Sequence, residues 1–168
     1  IRDNSLCICT DGSYNPHEST GAHGWVIASH NTDLWRGAGP SDGHAQLMTP
    51  YRAELGGIVV GLHIINTICK TKNIRSGTAV LYSDCEKAIK NTTMKSYTGI
   101  AEHNMPDADL VQEAKRLLEE TPIRISIAWV EGHPTGPILS VTQNLFQQAH
   151  KLANQYLKNP HPQFRPST

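Results

Sequence analysis

Apolar and polar positions alternate first over residues 5–13, where Leu6, Cys7, Ile8 and Cys9 lead into Thr10-Asp11-Gly12-Ser13; this segment reads as a strand ending at Asp11-Gly12. Asn15, Pro16 and Gly21 supply a turn, and Ala22 to His30 form a second strand around Trp25-Val26-Ile27. Asn31-Thr32-Asp33 makes a tight connection to a third strand, Leu34 to Ala38. Three strands joined by short turns predict an antiparallel meander. The period then changes. Leu55, Ile58, Val59 and Leu62 fall at i, i+3, i+4 and i+7, one buried face of a helix with Thr49 as N-cap and Pro50 at its first position, running to about Cys69.

Thr78 to Asp84 reads as the fourth strand, followed by a short helix over 85–91. Residues 92–106 carry no clear period and are expected to be a loop with room for a short helix. Asp107 is expected to cap a stronger helix with Leu110, Ala114, Leu117, Leu118 and Thr121 inward. Ile123, Ile125, Ile127 and Trp129 alternate with Arg124, Ser126 and Ala128 as a fifth strand. After a Gly/Pro loop over 132–141, Thr142 is expected to open a last helix with Leu145, Ala149, Leu152, Ala153 and Tyr156 inward. Trp25, Trp35 and Trp129 all sit in strand patterns and are expected in the core. The order βββ-α-β-α-α-β-α predicts an α/β fold. Helical crossovers are almost always right-handed and lay the added strands parallel, so the sheet should be five-stranded and mixed, flanked by helices.

The chain has 168 residues, enough for one domain with a sizeable core; 1–158 should form it, with a Pro-rich tail over 159–168. The sequence reads as a domain cut from something larger. No apolar run approaches the length of a membrane span, nothing at the start reads as a signal peptide, and no membrane partner is expected. Lys plus Arg and Asp plus Glu are 15 each, giving formal neutrality. Phosphate neutralisation supplies most nucleic-acid affinity, so a neutral domain grips weakly alone or relies on a neighbour. Cys7, Cys9, Cys69 and Cys85 lack Cys-x-x-Cys spacing and read as buried free thiols. That points to a reducing, intracellular setting, with cytoplasm and nucleus not distinguished.

Asp11 and Asp84 end strands, and Glu54 lies in the first turn of a helix. Acids far apart in sequence but all at element ends suggest a hard-cation site assembled by the fold. Magnesium prefers oxygen ligands and keeps waters for a phosphate substrate, so phosphodiester chemistry is the expectation.

Thr10-Asp11-Gly12-Ser13, Gly24-Trp25-Val26-Ile27, Tyr51-Arg52-Ala53-Glu54-Leu55, Tyr82-Ser83-Asp84, Asp109-Leu110 and Trp129-Val130-Glu131-Gly132-His133 together resemble a ribonuclease H domain, in order and over Cys7 to about Leu157. The loop Gly39-Pro40-Ser41-Asp42-Gly43-His44 and the run Met48 to Leu55 are similar to ribonuclease H domains of retroelement reverse transcriptases. The Lys- and Trp-rich protrusion common in cellular enzymes is replaced by an interval with only Lys87, Lys90 and Lys95. The resemblance implies endonucleolytic hydrolysis of the RNA strand of RNA/DNA hybrids, two Mg2+ ions with Mn2+ as a substitute, and a reverse transcriptase polymerase domain in the same polyprotein as partner.

By the same resemblance Asp11 would bridge both ions, Glu54 would hold the leaving-group ion and orient the 2′-hydroxyl through water, and Asp84 would hold the ion carrying the nucleophile. His133 matches the family's mobile loop histidine, which assists proton transfer and product departure. His150, in Gln148-Ala149-His150-Lys151-Leu152-Ala153, occupies the position of the family's fourth acid. Three readings of it stand: a metal ligand, a group that orients water, or the mark of a degraded site. Gly12 and Ser13 are candidate backbone contacts to RNA, whose 2′-hydroxyls distinguish it from DNA. Arg52 either reaches a phosphate or forms a structural ion pair. Two other functions compete. A 3′–5′ exonuclease of related fold is disfavoured because Asp11 lacks the Asp-x-Glu pattern. A non-catalytic hybrid- or polymerase-binding domain is disfavoured by the three retained acids.

Overall fold

The computed structural model describes residues 5–29, 32–94 and 105–160. The elements are β1 (Ser5–Asn15), β2 (Thr20–Ser29), β3 (Thr32–Pro40), a 3-10 turn (Ala45–Leu47), α1 (Pro50–Thr71), β4 (Thr78–Ser83), α2 (Glu86–Thr93), α3 (Ala108–Glu120), β5 (Arg124–Trp129) and α4 (Val141–Lys158). The sheet order is β3-β2-β1-β4-β5. The first three strands pair antiparallel, and β4 and β5 join parallel. The five-stranded mixed sheet is therefore present, with β1 at its centre.

The period of two along β1 divides the core. Ile8 faces one side with Ile27, Leu81 and the α1 stripe Leu55, Ile58, Val59 and Leu62; Val111, Ala114 and Leu117 of α3 close that layer. Cys9 faces the other side with Val26, Ala28, Leu145, Phe146 and Ala149, under α4. All four cysteines are free thiols, but only Cys9 and Cys69 are buried; Cys7 and Cys85 are half-buried. Contrary to expectation, helix α1 is long and apolar enough to cross a membrane, but most of it is buried in the domain, as suits a core helix.

Several expectations change. Trp35 and Trp129 are 50% and 52% exposed, while Trp25 packs against the core. The two exposed indoles lie on the edge strands β3 and β5, where one flank has no neighbouring strand to cover a large ring. The last helix starts at Val141, not Thr142. Ser140 caps it through a reciprocal capping box, its hydroxyl accepting from the Gln143 amide and the Gln143 side chain accepting from the Ser140 amide. Thr49 does cap α1, accepting from the Arg52 amide at 3.0 Å. Because Pro50 is the first helical residue, Glu54 lies one turn further in than expected. Asp107 stands at the N-cap of α3 in the left-handed region (φ 59°) but makes no capping bond. Its carboxylate is spent on Arg52. The loop expected over 92–106 is helical to Thr93; residues 95–104, with Lys95, and most of the 159–168 tail lie outside the described residues.

Gly24 fixes how α4 meets the sheet. It pairs with Asp11 across β1–β2, and a Cβ there would overlap the Ala149 carbonyl and the Ala153 amide of α4. The absent side chain lets the helix backbone rest on the strand directly over the Asp11 position. Gly24→Val should therefore lift α4, at a cost of roughly 3 kcal/mol. Urea unfolding monitored by circular dichroism measures it; an unchanged midpoint would show that the helix has slack at this contact.

Candidate metal centre

Asp11, 2% exposed, lies inside β1: the strand does not end at Asp11-Gly12 as expected but runs on to Asn15, held in antiparallel register by β2. The start of α1 lies against Gly12, whose amide donates to Glu54 Oε2 at 3.0 Å and holds that carboxylate at the strand. Asp84 follows the last residue of β4, parallel to β1, so both aspartates emerge at the same edge of the sheet. One oxygen from each of Asp11, Glu54 and Asp84 lies within 4.8 Å of the others.

Three carboxylates this close cannot all ionise cheaply. Burial, and then the charges of Asp11 and Asp84, push the Glu54 carboxyl up to about 9. Asp84 is also raised, by burial and then by Asp11, with His133 and His150 opposing. An all-oxygen donor set with an unmet need for positive charge fits hard divalent cations. This is the test the site passes: its own electrostatics are unfavourable until a cation is supplied.

His150 stands apart from that group. Its Nδ1 is 2.7 Å from Asp11 Oδ2, and its Nε2 is 2.9 Å from Asn154 Nδ2. The Asp11 hydrogen bond raises the imidazole pKa against the opposing effect of burial. His133 meets His150 edge-on, ring centroids 6.1 Å apart. The loop carrying His133 is anchored on both sides: Trp129 Nε1 donates to the Asp84 carbonyl at 3.2 Å, and Gln147 Nε2 donates to the Gly132 carbonyl at 2.7 Å. Gly132 lies against the Asp84 carboxylate so closely that a Cβ would overlap Oδ2.

The structure thus gathers Asp11, Glu54 and Asp84, with His150 and His133 alongside. It gives Gly12 and Ser13 other partners: the Gly12 amide serves Glu54, and the Ser13 hydroxyl donates to Asn154 Oδ1 at 2.6 Å. Arg52 takes the ion-pair alternative. It is 5% exposed, and its guanidinium donates to the Asp42 carbonyl (2.9 Å), Asp107 (2.8 Å) and Asp109 (3.0 and 2.7 Å). It ties the 41–49 loop and the start of α3 to the helix that carries Glu54. Sequence reading missed Asn154 and Gln147. Asn154 follows His150 by four residues on one helix, the spacing that places two side chains together, and that signal was available.

A family model for RNase H matches residues 3–158. The chain belongs to the RNase H family. No curated protein matches it. Among solved structures, RNase H1 from the halophilic archaeon Halobacterium salinarum is 18% identical over 93% of this chain and 99% of its own, with a TM-score of 0.65. LC11-RNase H1, isolated from compost by a metagenomic approach and solved in complex with an RNA/DNA hybrid, is 12% identical over 89% and 94%, with a TM-score of 0.63. The N-terminal RNase H domain of a Mycobacterium tuberculosis protein is 15% identical over 94% and 99%, with a TM-score of 0.54. At these identities the likeness is one of fold.

The raised Glu54 carboxyl has a definite sign in stability. A folded pKa above the unfolded value means that the metal-free fold binds the extra proton, so its stability falls as pH rises from about 4.5 toward 9. Glu54→Gln should raise the metal-free melting temperature at pH 8 by about 5 °C, have little effect at pH 4, and reduce the stabilisation that added Mn2+ gives. Calorimetric melts with chelator and with Mn2+ test this. A Glu54→Gln protein that melts lower than wild type at pH 8 without metal would mean the carboxylates are not in conflict.

Proposed function

We propose that the domain hydrolyses the RNA strand of RNA/DNA hybrids internally, using two divalent cations, Mg2+ or Mn2+, held by Asp11, Glu54 and Asp84. The observation that carries this reading is the triad of carboxylate oxygens within 4.8 Å in a chain of the RNase H family. When bound, such cations activate the attacking water and offset charge on the leaving 3′ oxygen. The chain's own groups do the rest. Gly12 fixes one oxygen of Glu54 with its amide. Gly132, by carrying no side chain, leaves room for Asp84. His133, on the loop edge-on to His150, would hand a proton to the departing group or help product leave, a role supported by its Trp-Val-Glu-Gly-His context. His150 acts on Asp11 through their hydrogen bond.

The parent protein is a retroelement reverse transcriptase, a reading supported by the Gly39–His44 and Met48–Leu55 patterns and by formal neutrality. A polymerase domain in the same polyprotein would supply the basic grip that this domain lacks. That setting is intracellular.

The assay uses uniformly labelled hybrid, single-stranded RNA and duplex DNA in Mg2+ and in Mn2+. Internal cuts confined to hybrid RNA are expected, and Asp11→Asn should slow them by more than about 100-fold, the upper range for groups that only support a metal ligand. His150→Asp adds a fourth acid beside the site and should shift preference toward Mg2+ over Mn2+. Stepwise loss from a 3′ end would instead identify an exonuclease, and hybrid binding without cleavage a non-catalytic domain.

A further inference from the structure

Four side chains from two elements form one line of hydrogen bonds that ends at the metal centre. Ser13 Oγ lies 2.6 Å from Asn154 Oδ1, Asn154 Nδ2 lies 2.9 Å from His150 Nε2, and His150 Nδ1 lies 2.7 Å from Asp11 Oδ2. Each link constrains the next. An amide side chain has one accepting end and one donating end. Asp11 can only accept, so the proton of the neutral ring resides on Nδ1 and Nε2 offers its lone pair. The Asn154 NH2 meets that lone pair, and its carbonyl end accepts from the Ser13 hydroxyl. All three bonds therefore point the same way, from Ser13 to Asp11.

We propose that Asn154, itself held by Ser13, is a positioning residue that fixes the His150 ring by engaging its Nε2 lone pair, so that His150 orients the Asp11 carboxylate through Nδ1–H and is not itself a metal ligand. The proposal rests on the metal-centre reading given under Proposed function. In this arrangement neither imidazole nitrogen has a free lone pair: Nδ1 carries the proton and Nε2 is engaged by Asn154. Asp11 Oδ2 is held by the ring, which leaves Oδ1 to turn toward Glu54 and Asp84. A histidine–carboxylate pair of this kind ordinarily supports a metal from the histidine side, with the carboxylate behind. Here the order is reversed, with the carboxylate in front and the histidine behind it. Helical geometry makes the device possible, because Asn154 stands one turn after His150 on α4. The strand contributes through its own period: Asp11 and Ser13 are two residues apart on β1, so the same face of the strand holds both ends of the line.

The test combines a spectroscopic readout with metal binding. Long-range proton–nitrogen correlation spectra of the 15N-labelled, metal-free chain, taken at a pH that leaves the imidazole neutral, report the tautomer; His150→Gln identifies the resonances. Wild type should show Nδ1–H. Asn154→Leu should keep Nδ1–H, which still faces Asp11, but move the Nε2 signal to that of an unbonded, lone-pair-bearing nitrogen, and Asn154→Asp, which replaces the donor with an acceptor, should favour the doubly protonated ring. Ser13→Ala should give a smaller shift in the same sense. Mn2+ affinity by calorimetry should fall about tenfold in Asn154→Leu, with kcat on the hybrid falling similarly at unchanged KM. An Nε2 signal unaltered in both Asn154 variants overturns the proposal, as does unaltered Mn2+ affinity. If wild type binds Mn2+ and shows these changes but cuts no hybrid, the positioning role stands and the hydrolase reading falls.

Discussion

Crowding of like charge governs this structure. Asp11, Glu54 and Asp84 bring three oxygens within 4.8 Å of one another in a largely buried setting, and burial, with the repulsion added to it, pushes the Glu54 carboxyl up to about 9. A fold tolerates such a cluster only when every group around it is held from outside. Gly12 pins Glu54, the Trp129 indole and Gly132 border Asp84, and His150 pins Asp11. The two core layers carry the energetic load that lets the cluster persist: α1 and α3 on one face of the sheet, α4 on the other.

Arg52 shows how far the bracing extends. Breaking a buried ion pair strands the remaining charge, which is far costlier than the pair itself is worth. Arg52 joins the loop before α1 to the start of α3 through Asp42, Asp107 and Asp109, so the helix bearing Glu54 is fastened at its N-terminal end from two sides. That explains why Asp107 sits in a left-handed conformation without capping its own helix. Its carboxylate is worth more across the fold than along the chain.

Most of the fold was legible because the local patterns agree with the global arrangement. Leu55, Ile58, Val59 and Leu62 marked the buried face of α1, and the short turns of the meander fixed three strands before any long-range contact was considered. Of the three acids, Asp84 sits next to an element boundary that the pattern had located and Glu54 one turn from another; Asp11 lies inside β1, four residues before its end. What escaped depends on relations between distant segments. Period-two alternation on β5 places Trp129 on the inward face, but alternation carries no information about whether a strand lies at an edge. Asp107 has the right residue type for a cap, and only the position of Arg52, 55 residues earlier, explains why it does not cap. Asn154 was within reach of sequence reasoning through its i, i+4 relation to His150; its link to Ser13 was not.

The spread of the centre along the chain has a consequence for synthesis. Asp11 is made early, yet the histidine that holds it comes 139 residues later, on the last helix. That helix docks only by laying its backbone across Gly24. A nascent chain that has emerged through β5 would own all three acids and most of one core layer, but the opposite layer would be open and Asp11 unsupported. Assembly of the catalytic apparatus is thereby deferred until the final helix leaves the ribosome.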